Sequence, residues 1–355
     1  MSDCIILTGG GTGGHLYPGF AVAQEIKKRS PETECFFVGS TRGIENKVLP
    51  TSDYPHKLMN IGPLNGVSKF QVLKTLLQLP FSIWSARKLL KQKKPKAVIG
   101  FGGYASGPVL LACLLTKTPF FMWEGNAMPG LVTRKIGKYA QRVFLALETG
   151  KKRFSGMKTE VVGVPTRFEG QSSEAQAKPH QPLRVFVFGG SQGSKAINEM
   201  IWELMNSPFG EKLDEAFEIY HQVGKTGVSQ LANVSADKEY YQGREFVQDM
   251  KARYEWADIV ICRTGASSIS ELTQMGLPGI FIPLPTSADD HQRKNAKFLE
   301  ESFAGIYMEQ GKEKSDVLYQ NLLKFSDPDF YARCAKASAG AAKFGAAEKI
   351  VDFLL

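Results

Sequence analysis

Cys4-Ile5-Ile6-Leu7-Thr8-Gly9-Gly10-Gly11-Thr12-Gly13-Gly14-His15 is the stretch that decides the fold class. Its apolar run suits a strand buried on both faces, the glycines suit a tight turn, and the residues beyond predict a helix from about Pro18 to Arg29. Gly-x-Gly-x-x-Gly between a strand and a helix brings backbone amides toward something anionic. A dinucleotide-binding fold also wants an acidic residue where the second strand ends. Here the second strand, Cys35–Val38, runs into Gly39-Ser40, which argues against a nicotinamide or flavin, and no cofactor is expected.

Outward from this stretch, short apolar strands alternate with helices. Strands are expected at Ala97–Ile99, Phe120–Trp123 and Val143–Ala146, with a helix near Pro108–Leu115. The motif then recurs in kind: strand Arg184–Phe188, loop Gly189-Gly190-Ser191-Gln192-Gly193, helix Lys195–Met205. Strands follow at Phe217–His221, Ile259–Cys262 and Gly279–Ile282. Such alternation implies parallel sheets with helices on both faces. The polar, Pro-containing link from Gln171 to Pro182 reads as a boundary. The expected architecture is α/β, two Rossmann-like doubly wound domains facing a cleft: 1–165, and 166–340, with a last helix at about 341–355 free to pack on either half.

The length of 355 residues fits two domains at roughly 150 residues each. The five cysteines are scattered without a Cys-x-x-Cys pair, and the five histidines are dispersed, so neither a disulfide framework nor a metal site is expected. No basic region leads into a long apolar stretch near the start. The longest apolar run, Val109–Leu115, is far short of the ~20 residues of a membrane-spanning helix.

The net charge of +9 is unevenly placed. Between Tyr54 and Trp123 there is no Asp or Glu, while Lys57, Lys69, Lys74, Arg87, Lys88, Lys91, Lys93, Lys94, Lys96 and Lys117 supply ten positive charges. The same window holds Phe70, Val72, Leu73, Leu76, Leu77, Leu79, Phe81, Ile83 and Trp84, a run that Pro80 is expected to split into two helices. One reading is a wide buried helix face with a solvated basic end. The other is a patch over Phe70–Lys96 that enters the headgroup region of an anionic membrane. Nucleic acid is not expected, because no recognised module for it is visible.

His15, at a helix start, is either a solvated or capping side chain or a general base kept neutral by the helix N-terminus. Ser191 and its neighbouring amides suit a phosphate, or form an ordinary strand-to-helix turn. In Arg263-Thr264-Gly265-Ala266-Ser267-Ser268-Ile269-Ser270-Glu271, Glu271 either completes a capping box with Ser268 or accepts two ribose hydroxyls. Gly224-Lys225-Thr226 imitates the end of a Walker loop, but position 219 is Ile219 where that loop needs glycine.

Further segments join these: Gly102-Gly103-Tyr104-Ala105-Ser106-Gly107-Pro108, Gly163-Val164-Pro165-Thr166-Arg167, His221-Gln222-Val223-Gly224-Lys225, and Asp290-His291-Gln292 with Asn295-Ala296. In this order, from the first strand to about Ala296, they resemble the MurG family of peptidoglycan glycosyltransferases (family 28). Where that family usually has His-Glu-Gln-Asn, this chain has Trp123-Glu124-Gly125-Asn126.

The resemblance implies a GT-B fold and inverting, metal-independent transfer of N-acetylglucosamine from UDP-N-acetylglucosamine to the 4-hydroxyl of the muramyl sugar of undecaprenyl-linked lipid I. The setting it implies is the cytoplasmic face of the bacterial inner membrane. Arg167, Ser191 and the Arg263–Glu271 loop, with Ala266, Ser267, Ser268, Ile269 and Ser270, would hold UDP, with Glu271 on the ribose and Val247 against the uracil. Gln292 and Asn126 would contact the sugar. Thr12, Gly13 and Gly14 would face the transferred sugar or the diphosphate, with Tyr104 on the acceptor side. His15 is the expected base and Glu124 the second candidate. A diacylglycerol glycosyltransferase and a UDP-sugar epimerase are the alternatives.

Overall fold

The computed structural model describes residues 3–355 except 63–67, 127, 147, 149–152, 169–177, 191, 226, 236–237 and 288–289. Ser191 therefore lies outside the described residues. The chain divides into two compact units, Met1–Glu169 with Phe344–Leu355, and Gly170–Lys343.

In the first unit, β1 (Cys4–Thr8), α1 (Gly13–Arg29), β2 (Glu34–Ser40), α2 (Glu45–Val48), β3 (His56–Met59), α3 (Lys69–Lys93), β4 (Ala97–Gly100), α4 (Gly103–Thr116), β5 (Phe120–Glu124), α5 (Leu131–Ile136), β6 (Val143–Leu145) and β7 (Thr159–Val161) follow in order. All seven strands are parallel, in the order β3-β2-β1-β4-β5-β6-β7. The chain runs outward on one side of β1 and then crosses to β4, so the ends of β1 and β4 flank the point where the strand order reverses. In doubly wound sheets that is where ligands bind.

Helix α1 starts at Gly13, earlier than the sequence signal at Pro18 suggested, and it places His15 inside the first turn. Thr12 caps it in extended conformation, and Leu16, Phe20, Val22, Ala23 and Ile26 bury one face. That burial outweighs the poor helix propensity of Gly13, Gly14 and Pro18.

Helix α3 is likewise a correction. It runs unbroken through Pro80. A proline removes one backbone hydrogen bond and crowds the carbonyl four residues earlier. Here Pro80 and Leu76 lie on the exposed side of the helix, where water can serve the freed carbonyl.

The second unit repeats the plan with β8 (Leu183–Phe188), α6 (Lys195–Met205), α7 (Leu213–Ala216), β9 (Phe217–Gln222), α8 (Val228–Ser235), β10 (Tyr241–Arg244), α9 (Met250–Trp256), β11 (Ile259–Cys262), α10 (Ala266–Gln274), β12 (Gly279–Phe281), α11 (His291–Glu301), β13 (Gly305–Tyr307), α12 (Ser315–Lys324) and α13 (Pro328–Gly340). The parallel order β10-β9-β8-β11-β12-β13 is the first unit's order again, minus its last strand. Val185, Val187, Ile259, Ile261 and Ile280 face a core with Ile197, Ile201 and Leu204 of α6, all at most 1% exposed.

Finally α14 (Ala346–Leu354) returns to the first unit. Ala346, Ala347, Ile350, Val351 and Leu354 form one buried stripe, and each large member contributes about 1.5–3 kcal/mol by leaving water. Arg29 pairs with Asp352 at 2.5 Å, and Phe353 packs on Phe144 with ring centroids 5.5 Å apart. Among the described residues, no helix is long and apolar enough to cross a membrane.

Candidate functional site

In the second unit the ends of β8 and β11 open into a cavity of about 640 Å³, lined by Gly189, Gly190, Gly193, Arg263, Gly265, Ser268 and Gln292 among others. Two helices begin at its wall. Ser194 caps α6, accepting from the Ile197 amide, and Gly265 precedes α10. The first amides of a helix have no partner within it, so Ala266, Ser267 and Ser268 offer donors at the positive end of a helix dipole. Ile269, by contrast, already donates to the Gly265 carbonyl.

Beside these donors lies the buried Arg263 guanidinium. Nη1 donates to the Ile282 and Pro283 carbonyls at 3.0 and 2.9 Å, and Nη2 to Ser194 Oγ and Gln310 Oε1, both at 2.7 Å. All four acceptors are neutral oxygens. Burial lowers its pKa to about 10, which still leaves it charged at neutral pH. The cavity therefore has a fixed positive charge in its wall, held rigidly by the loops it ties together.

The glycine loop is secured from the other side by Gln222, at the end of β9. Its Nε2 donates to the Gly190 carbonyl at 2.8 Å and its Oε1 accepts the Val247 amide at 2.8 Å. Gly193 and Gly224 both sit at positive φ, back to back, where a side chain on either would collide with the other's backbone. Beneath them a relay is fully satisfied: Trp202 Nε1 donates to Tyr241 Oη, which meets His221 Nδ1 at 2.9 Å, and His221 Nε2 meets Asn198 Oδ1 at 3.0 Å. Asn198 then donates to the Val223 carbonyl. The sequence quoted His221-Gln222 as a motif but gave neither residue a task, because their partners lie on other strands and loops.

Of the two readings of Ser268 and Glu271, the capping box is not present. Gly265 is the cap, and Ser268 lies inside α10 with no side-chain cap bond. Glu271 instead is buried one turn on, accepting from the Tyr254 hydroxyl at 3.0 Å. Gln292 has its amide oxygen taken by the Leu284 N–H at 3.0 Å, so its NH2 end is the one directed to donate. Val247 is buried beside Gln222. Arg167 groups with the first unit, its guanidinium 3.7 Å from the centre of the Tyr17 ring on α1.

In the first unit a second cavity, of about 590 Å³, opens beside the ends of β1 and β4, lined by His15, Gly102, Gly103, Tyr104, Glu124 and Asn126 with apolar residues of α3, α4 and α5. Thr12 Oγ1 lies 3.1 Å from His15 Nδ1. Burial lowers the His15 pKa below its ordinary 6.5, opposed by the Gly10 carbonyl facing the ring. The imidazole is thus neutral near pH 7, and with its proton on Nδ1 it keeps a lone pair on Nε2.

Glu124, the second candidate base, is held by four hydrogen-bond donors. Oε1 accepts from the Asn126 amide and Nδ2 at 3.3 and 3.2 Å, and Oε2 from the Gly130 amide and Thr133 hydroxyl at 2.8 and 3.0 Å. Burial raises its pKa and these four donors oppose the rise. It anchors the loop from β5 to α5 and presents Asn126 rather than standing free to take a proton. Its neighbour Trp123 is buried, with Nε1 donating to the Gly163 carbonyl at 3.0 Å.

Residues 5–145 match the glycosyltransferase family 28 N-terminal domain, and residues 184–350 match the glycosyltransferase family 28 C-terminal domain. A Bdellovibrio bacteriovorus protein named UDP-N-acetylglucosamine–N-acetylmuramyl-(pentapeptide) pyrophosphoryl-undecaprenol N-acetylglucosamine transferase is 39% identical over 308 residues, 85% of this chain and 84% of that one. The protein of the same name from Syntrophus aciditrophicus is 38% identical over 361 residues, 99% of this chain and 98% of that one. The crystal structure of Acinetobacter baumannii MurG superposes with a TM-score of 0.68 at 29% identity, covering 99% of each chain. The chain therefore belongs to glycosyltransferase family 28, within the MurG family.

Proposed function

We propose that this chain transfers N-acetylglucosamine from UDP-N-acetylglucosamine to the muramyl 4-hydroxyl of undecaprenyl-linked lipid I, with inversion, yielding the β-linked disaccharide lipid of peptidoglycan synthesis. The observation that carries the reading is the near-full-length identity to transferases whose names state that donor and that lipid acceptor. The alternatives, a diacylglycerol acceptor and a UDP-sugar epimerase, have no comparable support.

In this reading the second unit holds the donor. The diphosphate takes the amides at the start of α10 and the field of Arg263, Glu271 accepts the ribose hydroxyls, Val247 packs on the uracil and the Gln292 NH2 donates to the sugar. Ser191 and Arg167 are further phosphate ligands. The first unit holds the acceptor, with Tyr104 and Asn126 at its cavity and Thr12, Gly13 and Gly14 beside the reacting sugar.

His15 Nε2 takes the proton of the acceptor hydroxyl as its oxygen bonds to the anomeric carbon. The bond from that carbon to the phosphate oxygen breaks, and its electron pair leaves with UDP. Fixed amides and a buried cation stabilise the charge growing on UDP without reorganising, which is ordinarily the larger electrostatic share of catalysis.

The exposed side of α3 supports a peripheral seat on an anionic membrane, at the cytoplasmic face in this reading. Phe70, Leu77, Phe81 and Trp84 are 77%, 66%, 76% and 64% exposed, while the side turned inward over the same turns carries Thr75 and Ser82. A helix that over these turns buries small polar residues and exposes large apolar ones favours an interfacial patch over a wide core face. Lys88, Lys91 and Lys94 at its end are exposed beside them.

The test is product analysis. Incubation with UDP-N-acetylglucosamine and a water-soluble lipid I analogue must release UDP in step with a disaccharide whose new linkage is β. UDP release with no disaccharide, or an α linkage, would contradict the reading.

A further inference from the structure

Glu45 is a wholly buried carboxylate for which the transfer reading has no use. It is the first residue of α2, just past the end of β2, and its two oxygens serve two different loops. Oε1 accepts the Ser40 amide at 3.0 Å and Oε2 accepts the Gly11 amide at 2.8 Å. Gly10, Gly39 and Gly43 enclose it so closely that a β-carbon on any of them would collide with its side chain. The acid that a dinucleotide-binding fold turns outward to a ribose is absent from the end of β2. This one, a few residues later, is turned inward onto the glycine loop.

The Gly9–Gly14 loop is therefore already liganded by an anion belonging to the protein. Gly11 is the link to His15. Its neighbours on either side, Gly10 and Thr12, both face the imidazole, through the Gly10 carbonyl and through Thr12 Oγ1 at 3.1 Å from Nδ1. The open side of Gly11 packs on the Tyr104 ring, where a β-carbon would come within 2.9 Å of Cε1. Through Ser40 the same carboxylate also steadies the β2 loop, whose hydroxyl donates to the Ile61 carbonyl at the cavity wall.

We propose that Glu45 is a positioning residue: it clamps the first glycine loop so that His15 is held in the geometry for proton transfer, and it closes the Gly11 amide to any ligand phosphate. The proposal rests on His15 being the base.

Glu45→Gln keeps the shape but sets an NH2 group against one of the two amide donors, so one bond is lost. A misplaced base costs rate rather than donor affinity, so kcat should fall on the order of tenfold or more. UDP affinity by calorimetry should stay within about twofold, because Arg263, Glu271, Val247 and the start of α10 belong to the other unit and Glu45 bonds none of the proposed donor ligands. In a His15→Ala background, Glu45→Gln should remove almost nothing further. Wild-type kcat in Glu45→Gln, or full additivity with an impaired but measurable His15→Ala, overturns the proposal. A fully active His15→Ala overturns the base reading itself, which is a separate result. Should Glu45→Gln fail to fold, the native protein decides. The Gly11 and Ser40 amides must be protected from hydrogen exchange, and titration with inorganic pyrophosphate must leave the Gly11 amide resonance unmoved. An unprotected or pyrophosphate-shifted Gly11 amide overturns it.

Discussion

The Tyr254 hydroxyl donates to Oε2 of Glu271 at 3.0 Å, joining α9 to α10 inside the second unit. A carboxylate accepts along about four lone-pair directions, and this bond fixes the orientation of the Glu271 side chain. Since Glu271 is not part of a capping box, its replacement does not release a helix cap. Hydrogen bonds to a charged acceptor contribute about 1.5–3 kcal/mol, so Glu271→Gln should weaken UDP binding about tenfold to a hundredfold. Calorimetry alongside a melting curve checks this; unchanged affinity with an unchanged melting temperature would remove Glu271 from the donor site.

His15 works only while neutral. Burial holds its pKa below 6.5, so protonation sets in only at more acid pH and the acid limb of kcat/KM falls below 6.5. Activity should persist to lower pH than an unshifted imidazole would allow. His15→Ala should lose about 10²–10⁴ in kcat and lose that acid limb. A pH–rate profile on both proteins is the check, and an acid limb that survives the substitution assigns the base elsewhere.

His221 carries a stability prediction of definite sign. Burial pulls its pKa down from 6.5 to about 3. Between those values the unfolded chain takes up a proton at this position and the folded chain does not. Its share of stability is therefore fully present above 6.5 and is lost as pH falls toward 3, by at most about 1.4 kcal/mol per pH unit. Melting curves from pH 7 to pH 5 should show a shallower slope for His221→Asn than for the native chain. Equal slopes would mean that His221 titrates normally.

Reversing Lys88, Lys91 and Lys94 to Glu should cut sedimentation with anionic vesicles on the order of a hundredfold or more, and added salt should weaken binding of the native chain. Turnover of a water-soluble acceptor should change little, since these side chains stand outside both cavities. Undiminished vesicle binding at low salt would contradict the membrane reading. Loss of folding in the triple variant would instead mark these lysines as part of the packed structure.

The strands and glycine loops were legible because a strand buried on both faces needs an unbroken apolar run and a switch-point loop needs glycine. β1, β8 and β11 all show this. β7 and β13 were not legible: each is three residues long and mostly half-buried, with too few positions to show a period. The start of α1 was hidden because Gly13, Gly14 and Pro18 speak against a helix that tertiary packing nevertheless forms.

Candidate positions were legible where chemistry and spacing coincide, as at His15 and Glu271, which line or border the two cavities' loops. Gln222 and Glu45 act through hydrogen bonds to Val247 and Gly11, partners that only the folded topology brings near, and the Arg263 bond to Ser194 was hidden for the same reason. The partners of Glu124 were hidden for the same reason. A carboxylate in a motif reads as an acid or base until the four donors around it are seen.

Competition between acceptors tests the central claim most directly. Radiolabelled UDP-N-acetylglucosamine is incubated with the protein and equal amounts of lipid I and diacylglycerol in mixed micelles, and the lipid extract is separated. The account predicts label in the disaccharide derived from lipid I, with none in diacylglycerol and no epimerised sugar nucleotide. Label in diacylglycerol, or epimerisation of the donor without transfer, would contradict it.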